Sequence, residues 1–386
     1  MQEELLKFLT FGADLIAAAG CVYSIASMRI LQRFQRTPRG EVPRAHAISV
    51  LRPLHGTDPG LYENLGSSCA YASGVVELIC GVQCEDDPAI PVVKRLQSER
   101  PDLAVSLVVD PTPHGRNLKV ANLMNMLPAA RHPLLVMMDS DMRAPADFLV
   151  RSLAALRQPD VGLVTALYRG RPADRRLWSR LAAQYVNHTF LPQALLGERT
   201  RPGQGCFGAG IAITRETLEA IGGFAVVADT LADDYALGAG VRAVGKRVVV
   251  GPVLLDNWIT EPSFQALLRH EVRWLFTIRS VAPWGHVGLI LTQPVAFALI
   301  AALLGAPGLI PLAGLAVALL VRFGMVRAVD RALELDPVPL WQVPVRDVLS
   351  FAVYVASFFT KTVAWRDHQF RVSRQGRLTS DGDRTR

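Results

Sequence analysis

Apolar and polar positions divide the chain into a central part and two apolar flanks. The central part, residues 45–260, alternates short apolar runs with amphipathic stretches. This alternation predicts an α/β domain with a mainly parallel sheet. The strand-like runs are residues 47–51, 75–82, 104–109, 134–138 and 161–168, and helical stretches lie at residues 91–99 and 117–126.

The first flank, residues 1–30, predicts a helix that anchors the chain in a membrane. Its apolar sequence is interrupted at Lys7 and Asp14, and a basic segment follows, with Arg29, Arg33, Arg36, Arg39 and Arg44. No small-residue cleavage site is evident, which favours a retained anchor over a cleaved or interfacial helix. Positive charge after the anchor predicts that the next part of the chain is cytoplasmic.

The second flank predicts further membrane segments. Residues 287–321 carry no charge over 35 positions, and Gly305, Pro307, Gly308 and Pro311 interrupt that run. The pattern predicts a helical hairpin over residues 286–325, crossing or re-entrant, with a buried soluble core as the alternative. We interpret residues 346–364 as an interfacial or re-entrant helix, because a third crossing would place the basic tail, residues 365–386, outside the cytoplasm.

Composition indicates a membrane protein whose cysteines lie in a reducing compartment. Half of the 386 residues are hydrophobic (50%), only 19% are charged, and the formal net charge is +7. Aromatic residues are not interleaved with the basic ones, so the excess charge indicates anionic lipid headgroups as partners and not nucleic acid. The five cysteines are scattered and form no Cys-x-x-Cys pair, which predicts neither disulfides nor a zinc site.

An acidic pair follows the most apolar strand of the central part. The run at 134–138 ends at Asp139-Ser140-Asp141. Ligands of open α/β sheets bind just beyond the carboxyl ends of the strands, and carboxylates there often hold a divalent cation that binds a diphosphate. The pattern therefore predicts a metal site at Asp139 and Asp141, with a solvated turn as the alternative.

Other acidic and basic residues suggest the rest of a nucleotide-sugar site. Asp87 follows a strand and could accept hydrogen bonds from a base or ribose, or belong to a turn before the next helix. Lys119 begins a helix and could contact a phosphate, or lie on a solvated helix face. The pair Asp233 and Asp234 should raise one carboxyl pKa, which suits a general base, whereas helix capping by Asp233 is the alternative that can coexist with it.

Residues 261–285 predict an interfacial segment that contains an Arg-Trp pair. The stretch His270-Glu271-Val272-Arg273-Trp274 is superficially similar to a zinc motif, but position 274 is Trp and the second ligand is absent. Arg273 offers a guanidinium for phosphate, and Trp274 offers an indole that could stack on a base or sugar. Anchoring at the membrane surface is the alternative for Trp274.

These motifs together resemble the ceramide glucosyltransferase family of membrane-bound, inverting glycosyltransferases. The resemblance covers about residues 45–285 and recurs near the C-terminus. Its pieces are Leu51-Arg52-Pro53-Leu54-His55-Gly56 with Asp58-Pro59, Gly81-Val82-Gln83 with Asp86-Asp87-Pro88, Lys119 with Asn122-Leu123, Asp139-Ser140, Gly162-Leu163-Val164, Gly222-Gly223, Asp234-Tyr235, Arg273-Trp274, and Trp365-Arg366 with Phe370-Arg371. Several stretches are similar to the bacterial branch associated with hopanoid synthesis.

The resemblance implies a GT-A fold, which is a Rossmann-like nucleotide-sugar-binding domain, flanked here by an N-terminal anchor and C-terminal membrane helices. It implies functional roles for Asp87, Asp139, Asp234 and the pair Arg273-Trp274. His270 departs from the family's Gln or Arg at the first position of the Arg-Trp box. Asp141 adds a carboxylate that some eukaryotic relatives lack, which strengthens the case for a metal.

The resulting hypothesis is a hexosyltransferase that moves glucose or an N-acetylhexosamine from a UDP-sugar to a lipid hydroxyl. Asp87 and Lys119 would bind the donor, Asp139 and Asp141 would hold Mg²⁺ or Mn²⁺, and Asp234 would deprotonate the acceptor, a ceramide or hopanoid. The product would be a β-glycolipid made at the cytoplasmic face of a bacterial inner membrane. A processive polysaccharide synthase and a non-catalytic nucleotide-binding membrane protein are the alternatives.

Overall fold

The structure is a computed structural model that describes residues 1–36, 47–69, 75–305, 308–360, 362–365, 368–372 and 376–379. The helices are α1 (Gln2–Arg36), α2 (Leu61–Ser67), α3 (Ala89–Glu99), α4 (Leu118–Met126), α5 (Phe148–Leu156), α6 (Leu177–Tyr185), α7 (Leu191–Thr200), α8 (Arg215–Ala220), α9 (Asp233–Ala243), α10 (Phe264–Val281), α11 (Pro283–Gly288), α12 (Pro294–Leu304), α13 (Leu309–Ala332) and α14 (Gln342–Phe359). The strands are β1 (Ile48–Pro53), β2 (Val76–Val82), β3 (Ala104–Val109), β4 (Leu134–Met138), β5 (Met142–Arg143), β6 (Val161–Ala166), β7 (Tyr168–Pro172), β8 (Gly210–Thr214), β9 (Arg247–Val250), β10 (Leu255–Ile259), β11 (Thr362–Trp365), β12 (His368–Val372) and β13 (Leu378–Thr379).

The chain forms two compact units. The α/β unit comprises residues 38–174, 200–260 and 372–386, and the helical unit comprises residues 1–37, 175–199 and 261–371. The predicted catalytic domain, residues 45–260, therefore has one insertion, because the segment around α6 and α7 packs with the helical unit. Sequence periodicity does not reveal this insertion, since α6 is as amphipathic as α3 and α5 of the α/β unit.

Within the described residues, the main sheet of the α/β unit has the order β3-β2-β1-β4-β8-β6-β9. Strands β3, β2, β1 and β4 are parallel, and β8 is antiparallel to both of its neighbours. Helices α2, α3 and α5 cover one face, and α4, α8 and α9 cover the other. Because both faces are covered, the central strands are buried along nearly their whole length and do not alternate between buried and exposed residues.

The five predicted strands are present, with one correction. The run at 161–168 divides into β6 and the start of β7, which belong to different sheets. Strand β7 pairs with β10, and β10 pairs with β5, the short strand directly after the acidic pair. This small sheet lies next to the end of β4, so it places residues of β10 beside Asp141.

In the helical unit, α1 and α13 are long and apolar enough to cross a membrane, among the helices in the described part of the chain. Helix α1 runs past the predicted end at residue 30 and includes Arg29, Arg33 and Arg36. The first arm of the predicted hairpin bends by 65° between residues 292 and 294. Pro294 explains the break, because proline lacks the amide hydrogen and clashes with the preceding turn.

Buried ion pairs hold the remaining helices of this unit together. Arg346 on α14 makes two hydrogen bonds of 2.7 and 2.8 Å to Glu271 on α10, and both side chains are buried. Arg322 on α13 makes an equivalent pair with Asp347. Helix α14 begins at Gln342, before the predicted start at residue 346, and ends at Phe359, before the predicted end at residue 364. Strands β11 and β12 then pair in antiparallel fashion.

Several predicted features lie outside the described residues. They are the basic positions Arg39 and Arg44 after the anchor, the break at Pro307, and Lys361, Arg366, Arg374 and residues 380–386 of the basic tail.

Candidate active site

The end of β4 places the acidic pair at the carboxyl edge of the main sheet. Four of the five residues of β4 are buried, as the apolar run predicts, and the chain turns immediately after Met138. Asn257 on β10 donates a 2.7 Å hydrogen bond to Asp141 Oδ2. Burial, followed by the charges of Asp139 and Asp58, raises the pKa of Asp141 to about 7.

Lys119 contacts the first carboxylate of this pair. Its Nζ lies 2.5 Å from Asp139 Oδ1, and its position is fixed by α4, whose N-cap Asn117 accepts a hydrogen bond from the Val120 amide. Burial acts to lower the pKa of Lys119, but the charges of Asp139 and Asp233 raise it above its ordinary value. Lys119 therefore remains a cation inside the site and does not lie on a solvated helix face.

Asp233 and Asp234 begin α9, and their charges act on Lys119 as the charge of Asp139 does. The capping interpretation of Asp233 is wrong, because Ala232 occupies the N-cap position and no side chain caps the helix there. The Asp233 carboxylate instead accepts a 3.2 Å hydrogen bond from Asn117 Nδ2. Burial and the charge of Asp233 raise the pKa of Asp234 to about 7. Burial also raises the pKa of Asp233, so the rise affects both members of the pair, whereas the sequence pattern predicts it for one.

Gly208 separates the Asp234 carboxylate from the Lys119 ammonium. A Cβ at this position would lie 3.2 Å from Asp234 Oδ2 and 3.3 Å from Lys119 Nζ. Because both charged groups surround this glycine, Lys119 connects the carboxylates at the end of β4 with those at the start of α9. The sequence contains no signal for the role of Gly208, which only becomes evident from the tertiary contacts.

Asp87 lies at the same edge but is engaged by backbone groups. Its carboxylate accepts hydrogen bonds from the Gly56 amide at 3.0 and 3.2 Å and from the Ala89 amide at 2.8 Å. It thereby joins the loop after β1 to the start of α3, and only 6% of its surface is exposed. Asp87 shapes the loops at which a donor nucleotide would enter.

Arg52 and Asp58 hold the turn after β4, a role that the sequence motifs containing them do not predict. Arg52 is fully buried near the end of β1, and it donates hydrogen bonds to the carbonyls of Ser140 at 3.3 Å and Met142 at 2.9 Å. Asp58 accepts a 2.5 Å hydrogen bond from the Ser140 hydroxyl. An arginine inside an apolar strand was an available signal, because a buried charge requires partners.

Arg273 and Trp274 lie on α10 in the helical unit. The Trp274 ring packs edge-on against His270, with 4.4 Å between centroids, and lies 6.0 Å from the ring of Tyr185. His270 Nδ1 lies 2.8 Å from Glu261 Oε1. His270, which departs from the family's box, therefore orients the indole that follows it. His188, on the segment between α6 and α7, is buried, and its Nε2 lies 2.7 Å from Asp330 Oδ1.

The donor atoms near Asp139 and Asp141 suit a hard divalent cation with few protein ligands. In the described ranges, no group of three or more His, Cys, Asp or Glu side chains is assembled around one point. Magnesium-type sites commonly use one or two carboxylates and complete their coordination with water and substrate phosphates. Asp139 and Asp141, with one residue between them at the end of β4, offer two carboxylates for a site of that kind.

Comparison with known proteins agrees with this arrangement. The model of glycosyl transferase family 21 matches residues 12–378. Ceramide glucosyltransferase 1 of Caenorhabditis elegans is 24% identical over an alignment that covers 95% of this chain and 82% of that protein. Ceramide glucosyltransferase 3 of the same organism is 25% identical, over 59% of this chain and 50% of that protein.

A solved structure shows the same fold. The mannosyltransferase PcManGT from Pyrobaculum calidifontis, in complex with GDP-Man and Mn²⁺, aligns with a TM-score of 0.50 at 18% identity, covering 91% of this chain and 98% of that one. The predicted GT-A fold and the predicted hexosyltransferase activity are confirmed. Since the family model covers nearly the whole sequence, this chain belongs to glycosyl transferase family 21.

Proposed function

We propose that the protein transfers glucose or an N-acetylhexosamine from a UDP-sugar to the hydroxyl of a membrane lipid, with inversion at the anomeric carbon. The acceptor would be a ceramide or related sphingoid lipid, or a hopanoid. The observation that carries the proposal is Asp234, a carboxyl with a pKa of about 7 beside Lys119 at the carboxyl edge of the sheet. A carboxyl with a pKa near the working pH suits a general base.

The donor site would lie across the ends of β1, β2 and β4. Asp87 holds the loops after β1 and β2, and their backbone would bind the uridine. Lys119 would offer its ammonium to the diphosphate, because it is charged and lies beside Asp139. Arg273 would offer its guanidinium to the leaving UDP, and Trp274 would stack on a base or sugar.

Asp139 and Asp141 would hold Mg²⁺ or Mn²⁺. A cation bound there would offset the negative charge of the diphosphate. Asn257 orients Asp141 by its 2.7 Å hydrogen bond, and Arg52 holds the turn between the two carboxylates through the Ser140 carbonyl. These residues would keep both carboxylates in place whether or not a donor is bound.

Asp234 would take the proton from the acceptor hydroxyl as its oxygen attacks the anomeric carbon. The attack comes from the face opposite the leaving UDP, so one displacement converts an α-linked donor into a β-glycoside. Lys119 keeps part of the ionised form of Asp234 available, because its charge opposes the effect of burial on the pKa of Asp234. No covalent intermediate on the protein is required.

Helices α1 and α13 would anchor the enzyme in the bilayer, with the α/β unit in the cytoplasm of a bacterial cell. Large apolar side chains are exposed on α11 and on α14 and the turn before it, including Trp284 at 84%, Trp341 at 59% and Phe359 at 78%. Exposed apolar residues of this kind suit a surface that rests in the membrane interface. An insoluble acceptor could then reach the enzyme from the side.

The test is a turnover assay on the full chain in nanodiscs. It crosses UDP-glucose, UDP-galactose and UDP-N-acetylglucosamine with ceramide and a hopanoid polyol, with and without chelator. We expect one metal-dependent β-glycolipid carrying a single sugar. A polymeric product would support a processive synthase, and UDP binding without any donor consumption would overturn the proposed activity.

A further inference from the structure

The last described residues of the chain return to the α/β unit. Residues 376–379, here called the C-terminal strap, pair with the loop that precedes Asp233. The Leu231 amide donates a 3.0 Å hydrogen bond to the Gly376 carbonyl, and the Leu378 amide donates a 2.8 Å hydrogen bond to the Asp229 carbonyl. Leu378 is 1% exposed, so the strap is anchored by a buried side chain as well as by its backbone.

The start of α4 holds the same loop from another side. The Asn117 amide donates to the Ala228 carbonyl at 2.8 Å, and Asn117 Nδ2 donates to the Thr230 carbonyl at 2.8 Å. The Arg116 amide donates to Asp229 Oδ1 at 3.0 Å. The loop before α9 is therefore bonded to the segment that leads into Lys119.

Arg116 connects the strap to that segment directly. Its guanidinium donates a 3.2 Å hydrogen bond to the Leu378 carbonyl. The strap, the loop of residues 228–231 and the start of α4 are therefore each hydrogen-bonded to the other two. This loop sets where α9 begins, and hence where Asp234 stands relative to Lys119 and Gly208.

We propose that the C-terminal strap is a positioning element for the base, with Leu378 as its positioning residue. The inference rests on the proposed role of Asp234. A short loop held on only one side can shift, and a displacement of about 1 Å at a reacting group can lower a rate about a hundredfold. Because the described hydrogen bonds of the strap reach the loop before α9 and the Arg116 guanidinium, we expect its loss to act more on the transfer step than on donor binding.

The experiment compares Leu378→Ala, Leu378→Met and a matched control in the full chain in nanodiscs. Val226→Ala is the control, because Val226 is an apolar residue of the turn before the same loop but is 55% exposed. We measure kcat, the KM of the UDP-sugar, UDP affinity, and hydrogen exchange of the Leu231 amide. We expect Leu378→Ala to lower kcat about ten- to a hundredfold, with KM and UDP affinity within twofold and faster exchange at Leu231.

Leu378→Met and Val226→Ala should keep near-normal kcat. If Leu378→Ala fails to fold, Arg116→Ala provides the second variant. It removes the guanidinium hydrogen bond to the Leu378 carbonyl and keeps the backbone hydrogen bonds of the strap. We expect it to lower kcat two- to fivefold. Faster exchange at Leu231 with unchanged kcat would overturn the proposal. A wild-type protein that transfers no sugar would instead overturn the proposed function, which separates the two failures.

Discussion

Replacing Asp234 by Asn should slow transfer strongly and at the same time stabilise the protein at alkaline pH. The pKa of Asp234 is raised from an ordinary 3.8 to about 7, because burial and Asp233 disfavour its charged form. The folded protein therefore binds this proton more tightly than the unfolded chain does. Stability from this group is present below pH 4 and is lost as the pH rises through about 7.

The size of the effect follows from the two pKa values. The difference between 3.8 and about 7 corresponds to roughly 4 kcal/mol at pH 8, as an upper limit, at 1.36 kcal/mol per pKa unit. Asn carries no charge, so Asp234→Asn should raise the apparent Tm by several degrees at pH 8 and by much less at pH 4. Loss of the general base should lower kcat about 10²- to 10⁴-fold.

The assay combines thermal unfolding in detergent at pH 4, 6 and 8 with transfer rates at pH 8. Asp102→Asn is the matched control, since it makes the same chemical change at an exposed carboxylate paired with Arg100. We expect that control to change the Tm little at any of the three pH values and to leave the rate unchanged. Near-normal turnover of Asp234→Asn, or a lower Tm at pH 8, would refute the reasoning.

Further expectations concern the pH dependence of the rate, the close contacts at Gly208, the buried pair of Glu271 and Arg346, and the metal. The wild-type rate should fall about tenfold per pH unit below about 7, as Asp234 becomes protonated; a flat profile between pH 5 and 7 would contradict this. Gly208→Ala should lower kcat/KM, because the added Cβ would lie 3.2 Å from the Asp234 carboxylate, and it should leave Tm within about 2 °C. Activity equal to that of the wild type would show that the site can adjust. Glu271→Gln should lower the free energy of unfolding by about 3–5 kcal/mol in thermal unfolding, because it leaves the buried Arg346 charge without its partner. Replacing both Glu271 and Arg346 by Met should recover most of that loss. A smaller effect of the single variant would mean that water reaches the ion pair. Chelation should stop transfer, and transfer that continues in excess EDTA would argue against a metal role for Asp139 and Asp141.

The sequence determined the elements whose information is local. A run of five apolar residues followed by two carboxylates predicted β4 and the position of Asp139 and Asp141, because a strand covered on both faces must be apolar throughout. The long apolar stretches likewise predicted α1 and α13, since hydropathy over about 20 residues suffices to indicate a membrane span. The adjacent carboxyl groups at 233 and 234 predicted a raised pKa on chemical grounds alone.

Tertiary structure decided everything that depends on residues far apart in the chain. Asn257 contacts Asp141 only because β10 pairs with β5. Asp87 accepts hydrogen bonds from backbone amides that only the folded loops bring close to it. The C-terminal strap reaches the loop before Asp233 across more than a hundred intervening residues. Hydrogen-bond partners and burial depend on which segments pack together, and no local pattern of apolar and polar residues encodes that pairing.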